Sequence, residues 1–128
     1  TLSFAASTPT TAFLTELGAN DPNNNLRREQ ALVLRSEADS IDFFSVYERH
    51  GRYDNDEEVT VFPGSSVGNI YQTSDNGVSV YMVTTKTGDN IVFAFAEDTS
   101  AELKHVIDID GISVEWTGPV YAYIQSST

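Results

Sequence analysis

Apolar and polar side chains alternate along most of this chain with a period of two residues. The alternation is clearest in four segments that are rich in β-branched and aromatic residues: Ile41–Tyr47, Val78–Val83, Ile91–Ala96 and Pro119–Ile124. A period of two predicts β-strands whose alternate side chains face a core. Applied to the whole chain, the pattern predicts strands near residues 12–17, 30–36, 41–49, 67–73, 78–86, 90–96, 103–109, 112–116 and 119–125, with a further one near 2–6.

Turn-forming residues separate these segments at intervals of about ten residues. The Asn76-Gly77 pair favours a type I′ hairpin turn, and Asp110-Gly111 and Thr117-Gly118-Pro119 are further turn signals. Frequent tight turns between alternating strands are typical of antiparallel sheets. We therefore predict an all-β fold, an antiparallel β-sandwich of about 8–10 strands, as one domain over residues 1–128.

Two connections are long for a hairpin protein, Gly18–Leu26 and Gly51–Ser66. Both are rich in Gly, Pro, Asn or acidic residues, so we expect them to be irregular. Long irregular loops on a sandwich commonly carry binding sites.

Composition narrows the possible chemistry. The chain has no cysteine and two histidines, which excludes disulfides and thiolate metal sites. The acidic segments Asp54–Glu58 and Asp108–Gly111 could offer oxygen ligands to calcium, but neither matches an EF-hand loop, so we favour solvated acidic residues. The sequence has no P-loop or dinucleotide-binding motif, and no metal and no cofactor is expected. The apolar runs are too short to cross a bilayer, and Thr1 is not followed by a signal-peptide pattern, so an export signal would have to lie upstream. The start without methionine suggests a domain taken from a longer polypeptide.

Charge is unevenly distributed along the chain. The net charge is −12, which argues against nucleic acid as a partner because phosphates would be repelled. Residues 26–53 hold five of the seven cations and five acidic residues, so this window is neutral. It is the region that an anionic ligand could approach.

The segment Glu48–Asp54, with sequence ERHGRYD, is the first candidate site. Arg, His and Tyr side chains could neutralise a uronate carboxylate, abstract its C5 proton and protonate the leaving sugar. The alternative is a loop at the end of a strand, held by arginine–carboxylate pairs. We favour the alternative, because catalysis needs several chain elements to converge and this stretch is local.

Other candidates have similar alternatives. Arg27 and Arg28 are adjacent at a strand start, so they point to opposite faces and at most one can face a groove. Trp116, Tyr121 and Tyr123 could form a platform for sugar stacking, but filling a core or a domain interface is the more common role of such residues. His105 alternates with Ile107 and Ile109, which favours a partly buried histidine with satisfied hydrogen bonds over a metal ligand.

Four segments carry a resemblance to a known family: Gly18–Glu29, Ala31–Arg35, Tyr47–Asp54 and Glu115–Pro119. Together they resemble the C-terminal end of the oligo-alginate lyases of polysaccharide lyase family 17, in the heparinase II/III-like group. The resemblance implies a parent enzyme with an α/α-toroid followed by a β-sandwich region, which cleaves alginate exolytically by β-elimination. In that family the toroid and the first part of the sandwich region supply the catalytic residues and a zinc site. The resemblance therefore assigns no catalytic residue to this chain, and it implies a secreted or periplasmic protein.

Three hypotheses follow. The first is a non-catalytic C-terminal domain whose partners are the upstream catalytic domains of the same polypeptide. The second is an autonomous module that binds alginate or other uronate oligosaccharides. The third is catalysis by this chain through His50 and Tyr53. The candidate ligand-binding residues are Arg27, Arg28, Arg49, His50, Arg52 and Tyr53.

Overall fold

The computed structural model describes residues 1–18, 28–62 and 64–127. The described part contains twelve β-strands and no helix, which confirms the predicted all-β, antiparallel fold. The strands are β1 (Leu2–Ala6), β2 (Thr11–Gly18), β3 (Arg28–Arg35), β4 (Phe43–Tyr47), β5 (Arg52–Asp54), β6 (Val59–Val61), β7 (Val67–Asp75), β8 (Val78–Thr85), β9 (Asn90–Ala96), β10 (Lys104–Ile109), β11 (Ile112–Thr117) and β12 (Val120–Gln125).

The chain forms two compact units. The larger unit comprises Thr1–Ala5 and Phe43–Thr128, and the smaller comprises Ala6–Asp42. The larger unit is built on a four-stranded sheet with the order β12-β9-β8-β7. Strands β10 and β11 form a separate hairpin, and β4 pairs with β1.

The core of the larger unit lies between the four-stranded sheet and the β10–β11 hairpin. On the sheet, Val80 pairs with Ala94 and Met82 with Val92, and all four side chains are buried. The hairpin contributes Ile109, Val114 and Trp116 to the same cluster. The alternation in the sequence produces this layer, because every second residue of each strand faces the same side.

The opposite side of the sheet, which we call the outer sheet face, is only partly covered. Phe44 of β4 packs on Tyr81 with ring centroids 4.9 Å apart, and Tyr81 contacts Phe95 at 6.1 Å. Four apolar side chains on this face nevertheless remain exposed: Phe93, Phe95, Val120 and Ile124.

Two hairpin turns have the backbone that the sequence predicts. Asn76 and Gly77 have φ angles of 48° and 75°, and Asp110 and Gly111 have φ angles of 49° and 79°. A type I′ turn requires positive φ at both central residues, which Asn or Asp followed by Gly tolerates best. These turns fix the register of β7 with β8 and of β10 with β11.

The smaller unit contains the β2–β3 hairpin, paired over eight residues in each strand. Leu14 pairs with Leu32 and Phe13 with Val33, so apolar side chains occupy both faces of the ribbon. Every residue of β2 is exposed, and Leu14 retains 77% of its accessible surface. A two-stranded hairpin is only marginally stable in water.

The structure corrects one part of the predicted strand pattern. Residues 51–66 were predicted to be irregular, but they contain the short hairpin β5–β6. Asp54 stabilises its turn by accepting the backbone N–H groups of Asp56 and Glu57 at 3.0 and 3.4 Å. Strands of three residues are too short to show a period of two, which is why the sequence pattern misses them. The other predicted long loop, residues 18–26, lies outside the described residues except for Gly18.

Candidate functional site

A groove of about 550 Å³ lies in the larger unit, at the segment that follows β4. Three parts of the chain form it: the loop from β4 to β5, the segment before β7, and the turn between β8 and β9. We call it the basic groove. Its lining residues are Glu48, Arg49, His50, Gly51, Arg52, Gly64, Ser65, Ser66, Lys86 and Thr87.

Glu48 connects two walls of the basic groove. Its carboxylate accepts hydrogen bonds from the hydroxyl groups of Ser65 and Ser66 and from the backbone N–H of Ser66, the last at 2.6 Å. The hydrogen bonds from Ser65 and then Ser66 lower the pKa of Glu48 from 4.5 to about 2. Its backbone is also fixed, because Thr1 and Glu48 exchange N–H···O bonds of 2.9 Å.

His50 is held by its neighbours at the base of the loop. Its Nε2 lies 2.5 Å from the hydroxyl oxygen of Thr1, and its ring meets the edge of Phe62 at 6.1 Å. The other ring nitrogen, Nδ1, is buried and has no hydrogen-bond partner among the described residues. Gly51 follows with a φ of 104°, which residues other than glycine rarely adopt. A Cβ at this position would also lie only 3.1 Å from the ring of Phe62, so there is little room for a larger residue.

Arg49, Arg52 and Lys86 bring three of the chain's seven cations to the basic groove. Within residues 1–18, 28–62 and 64–127, no carboxylate lies within ion-pair distance of the guanidinium group of Arg49 or Arg52. The arginine–carboxylate pairs that the alternative reading of this loop expected are therefore not formed there. The loop is held by Glu48 and two serines, which leaves the arginines available to an anionic ligand.

Lys86 is the groove residue that the sequence analysis missed. It lies 34 positions after Arg52, and the fold brings the two together through the turn between β8 and β9. The Lys86 backbone N–H donates to the carbonyl of Ser66 at 2.8 Å. The only available signal was that Lys86 is one of two lysines and lies in a predicted turn.

The turn that carries Lys86 is itself fixed by Asp89. The Asp89 carboxylate accepts the backbone N–H of Ser127 at 2.9 Å and the hydroxyl of Thr87 at 2.8 Å. These two hydrogen bonds, that of Ser127 first, hold the pKa of Asp89 below its ordinary value. Hydrogen bonds from within the turn and from the C-terminal segment therefore hold the turn in place.

The remaining predicted site residues are placed elsewhere or lie outside the description. Tyr53 is exposed on β5 and does not line the basic groove. Arg28 begins β3 in the smaller unit, and Arg27 lies outside the described residues. Arg49, His50 and Arg52 are thus the predicted residues that the structure brings together.

An apolar groove continues from the basic groove and shares Glu48, Arg49 and Ser66 with it. Its volume is about 530 Å³, and its apolar lining includes Phe44, Val46, Val67, Val83, Ile91 and Phe93. Cations beside an apolar wall suit a ligand that combines carboxylates with ring C–H surfaces.

The predicted burial of His105 is confirmed, but its Nε2 is buried and has no hydrogen-bond partner among the described residues, so the histidine is not fully satisfied. His105 is buried and stacks on Trp116 with centroids 4.9 Å apart. In the part of the chain that is described, no three His, Asp or Glu side chains cluster as metal ligands would. Nor does that part contain a helix long and apolar enough to span a membrane.

Comparison with known proteins identifies two relatives. The exo-oligoalginate lyase of Saccharophagus degradans (strain 2-40) is 40% identical over 119 residues, which cover 90% of this chain. The alginate lyase of Stenotrophomonas maltophilia (strain K279a) is 34% identical over 119 residues, which cover 92% of it. The chain spans 16% of the length of each relative. No family model matches the chain. The predicted resemblance to the C-terminal domain of an alginate lyase is confirmed.

The Glu48 clamp gives a pH-dependent expectation. Because the pKa of Glu48 is lower in the folded chain than its ordinary 4.5, the carboxylate stabilises the fold fully above about pH 4.5. That contribution is lost as the pH falls from 4.5 through about 2. We expect Glu48→Gln to lower the urea midpoint of unfolding at neutral pH, and the difference from the unsubstituted chain to shrink across this window.

Urea titrations of both chains at several pH values measure this effect. The Glu48→Gln variant keeps every other titratable group of the parent chain, so the difference between the two chains isolates the titration of Glu48. A difference in midpoint that is independent of pH down to the lowest values would contradict the assigned role of the carboxylate.

Proposed function

Because this chain is related in sequence to one segment of the alginate lyases, we propose that it is a non-catalytic domain of a longer lyase polypeptide. Its role is to support the catalytic domains that depolymerise alginate by β-elimination. Its partners are those domains of the same polypeptide, and the location is secreted or periplasmic. The support for this proposal is structural as well as comparative.

The observation that carries the proposal is the β2–β3 hairpin. It presents Leu14 and Leu32 on one face and Phe13 and Val33 on the other, all of them exposed. Large apolar side chains exposed on both faces of a hairpin normally pack against other protein. The relatives are long enough to supply that protein, since the chain matches 16% of their length.

The chemistry of the basic groove favours binding over catalysis. Proton abstraction needs a base whose pKa lies near the working pH. Glu48 is the only carboxylate lining the groove among the described residues, and its pKa of about 2 makes it a poor base. His50 is engaged by Thr1 through Nε2, and its Nδ1 is buried. The groove therefore has cations for an anion, whereas its carboxylate and its histidine are both poorly suited to act as a base.

A substitution on the hairpin tests the scaffold role. We expect Leu14→Ser to change the free energy of unfolding of the 128-residue chain by less than about 0.5 kcal/mol, because the side chain is exposed there. In the complete polypeptide the same change should cost about 2–5 kcal/mol, because the leucine is then buried. Denaturant unfolding of both forms measures the two values.

Val106→Ser is the matched control for Leu14→Ser. Val106 is also exposed, but its neighbours on the outer side of the β10–β11 hairpin are Lys104, Asp108 and Glu115, so we expect it to stay in water. Equal small effects of both substitutions in the complete polypeptide would refute the scaffold role. Formation of an unsaturated uronate product by the 128-residue chain alone, followed by ultraviolet absorbance, would refute its non-catalytic character.

A second candidate function, binding of uronate oligosaccharides, is favoured by the basic groove. Arg49, Arg52 and Lys86 could pair with sugar carboxylates, while Phe44 and Phe93 of the adjoining groove contact the ring faces. In a chain of net charge −12, this concentration of cations is the feature most specific to an anionic ligand.

Calorimetric titration with oligomannuronate tests the second candidate. We expect millimolar binding that weakens with salt, and Arg49→Ala, Arg52→Ala or Lys86→Ala should each reduce affinity by about tenfold. Lys104→Ala removes the chain's other lysine, which lies outside the groove, and should leave the affinity unchanged. Absence of binding at millimolar sugar, or an equal loss in the Lys104 variant, would exclude this function.

A further inference from the structure

A second groove lies in the larger unit where β11 approaches β12, and it shares no lining residue with the basic groove. We call it the aromatic groove. Its volume is about 350 Å³, and Val92 and Val114 of the core lie at its base. The other lining residues are Ile112, Ser113, Glu115, Tyr121, Tyr123 and Gln125.

The tyrosines of the aromatic groove belong to a fixed row of rings. Tyr121 and Tyr123 are two positions apart on β12, so both face the same side of the sheet. Their ring centroids are 6.2 Å apart with planes inclined by 19°, and Tyr121 lies 6.2 Å from Trp116 at 21°. Trp116 is buried, and its Nε1–H donates to the carbonyl of Gly118 at 2.9 Å.

This row ends at the surface. Exposure increases from buried Trp116 through half-buried Tyr121 to Tyr123, which is 51% exposed. Near-parallel rings anchored at one end form a pre-organised aromatic surface, so a ligand that stacks on Tyr123 need not order it first. Each of the two predicted alternatives therefore applies to part of this row. Trp116 lies in the core, whereas Tyr121 and Tyr123 line the groove.

The polar residues beside these rings define the ligand. Ser113 and Glu115 alternate with buried Val114 and Trp116 on β11, so their side chains point to the outer side of the hairpin. Gln125 shares a side of β12 with Tyr121 and Tyr123, and its amide can donate to and accept from the hydroxyl groups of a sugar. No lysine or arginine is among the lining residues, so the groove offers no cationic partner to a uronate carboxylate. The volume falls in the range of small-ligand sites.

We propose that the aromatic groove binds a neutral pyranose ring, which stacks on Tyr123 and hydrogen-bonds through its hydroxyl groups to the amide of Gln125. This site is independent of the basic groove and of the proposed scaffold role. It would give the chain affinity for an uncharged saccharide in addition to any affinity for uronates.

Tryptophan fluorescence provides a direct assay, because Trp116 is the only tryptophan and neighbours Tyr121. The 128-residue chain is titrated with the methyl glycosides of glucose, mannose and galactose, and separately with oligomannuronate. Amide shifts in the nitrogen–proton NMR spectrum locate the site. We expect at least one neutral glycoside to saturate a shift centred on Tyr121 and Tyr123, and oligomannuronate to leave these two residues unchanged.

Substitutions assign the binding to the rings. Tyr123→Ala should lower the affinity for the neutral glycoside by about five- to tenfold. Tyr123→Phe keeps the ring and should change this affinity by no more than about twofold. Tyr47→Ala removes a tyrosine on β4 that is 81% exposed and does not line the aromatic groove, so it should have no effect. The proposal is overturned if none of the three glycosides shifts these residues, if oligomannuronate binds there instead, or if Tyr123→Ala and Tyr47→Ala behave alike.

Discussion

The packing of the β10–β11 hairpin on one side of the four-stranded sheet is the interaction on which the rest of the larger unit depends. Val80, Met82, Val92 and Ala94 supply the sheet's contribution, and Trp116 closes the layer from the hairpin. Burying these side chains removes apolar surface from water, which is the main favourable term in folding. This layer positions both grooves. Lys86 of the basic groove follows the end of β8, and Tyr121 of the aromatic groove packs beside Trp116.

The same sheet leaves its outer face partly uncovered, and this unequal burial explains the proposed role. A chain that packs one face tightly and exposes Phe95, Val120 and Ile124 on the other has apolar surface left for a neighbour. The β2–β3 hairpin shows the same property in the smaller unit. The sequence match to 16% of the length of two alginate lyases is consistent with this exposure. A domain of a larger polypeptide can leave apolar surface exposed because other domains cover it.

Much of the fold could be predicted from the sequence because strands of five or more residues show their period directly. The β7–β8 and β10–β11 hairpins were predictable for a second reason, since Asn76-Gly77 and Asp110-Gly111 specify their turns. The three-residue strands β5 and β6 carry no such signal. The site was predicted less well: ERHGRYD supplied Arg49, His50 and Arg52, but pairing across the fold brought in Lys86 and the serines that hold Glu48. Local sequence cannot specify contacts that depend on distant strands.

The central claim is that this chain is completed by the rest of a larger polypeptide, and hydrogen exchange tests it most directly. The experiment compares amide protection in the 128-residue chain with protection of the same residues in the complete polypeptide. The account predicts that β8 and β9 are protected in both, whereas β2 and β3 exchange rapidly in the isolated chain and become protected in the complete one. It would be contradicted if β2 and β3 were as protected as β8 and β9 in the isolated chain, or unprotected in both.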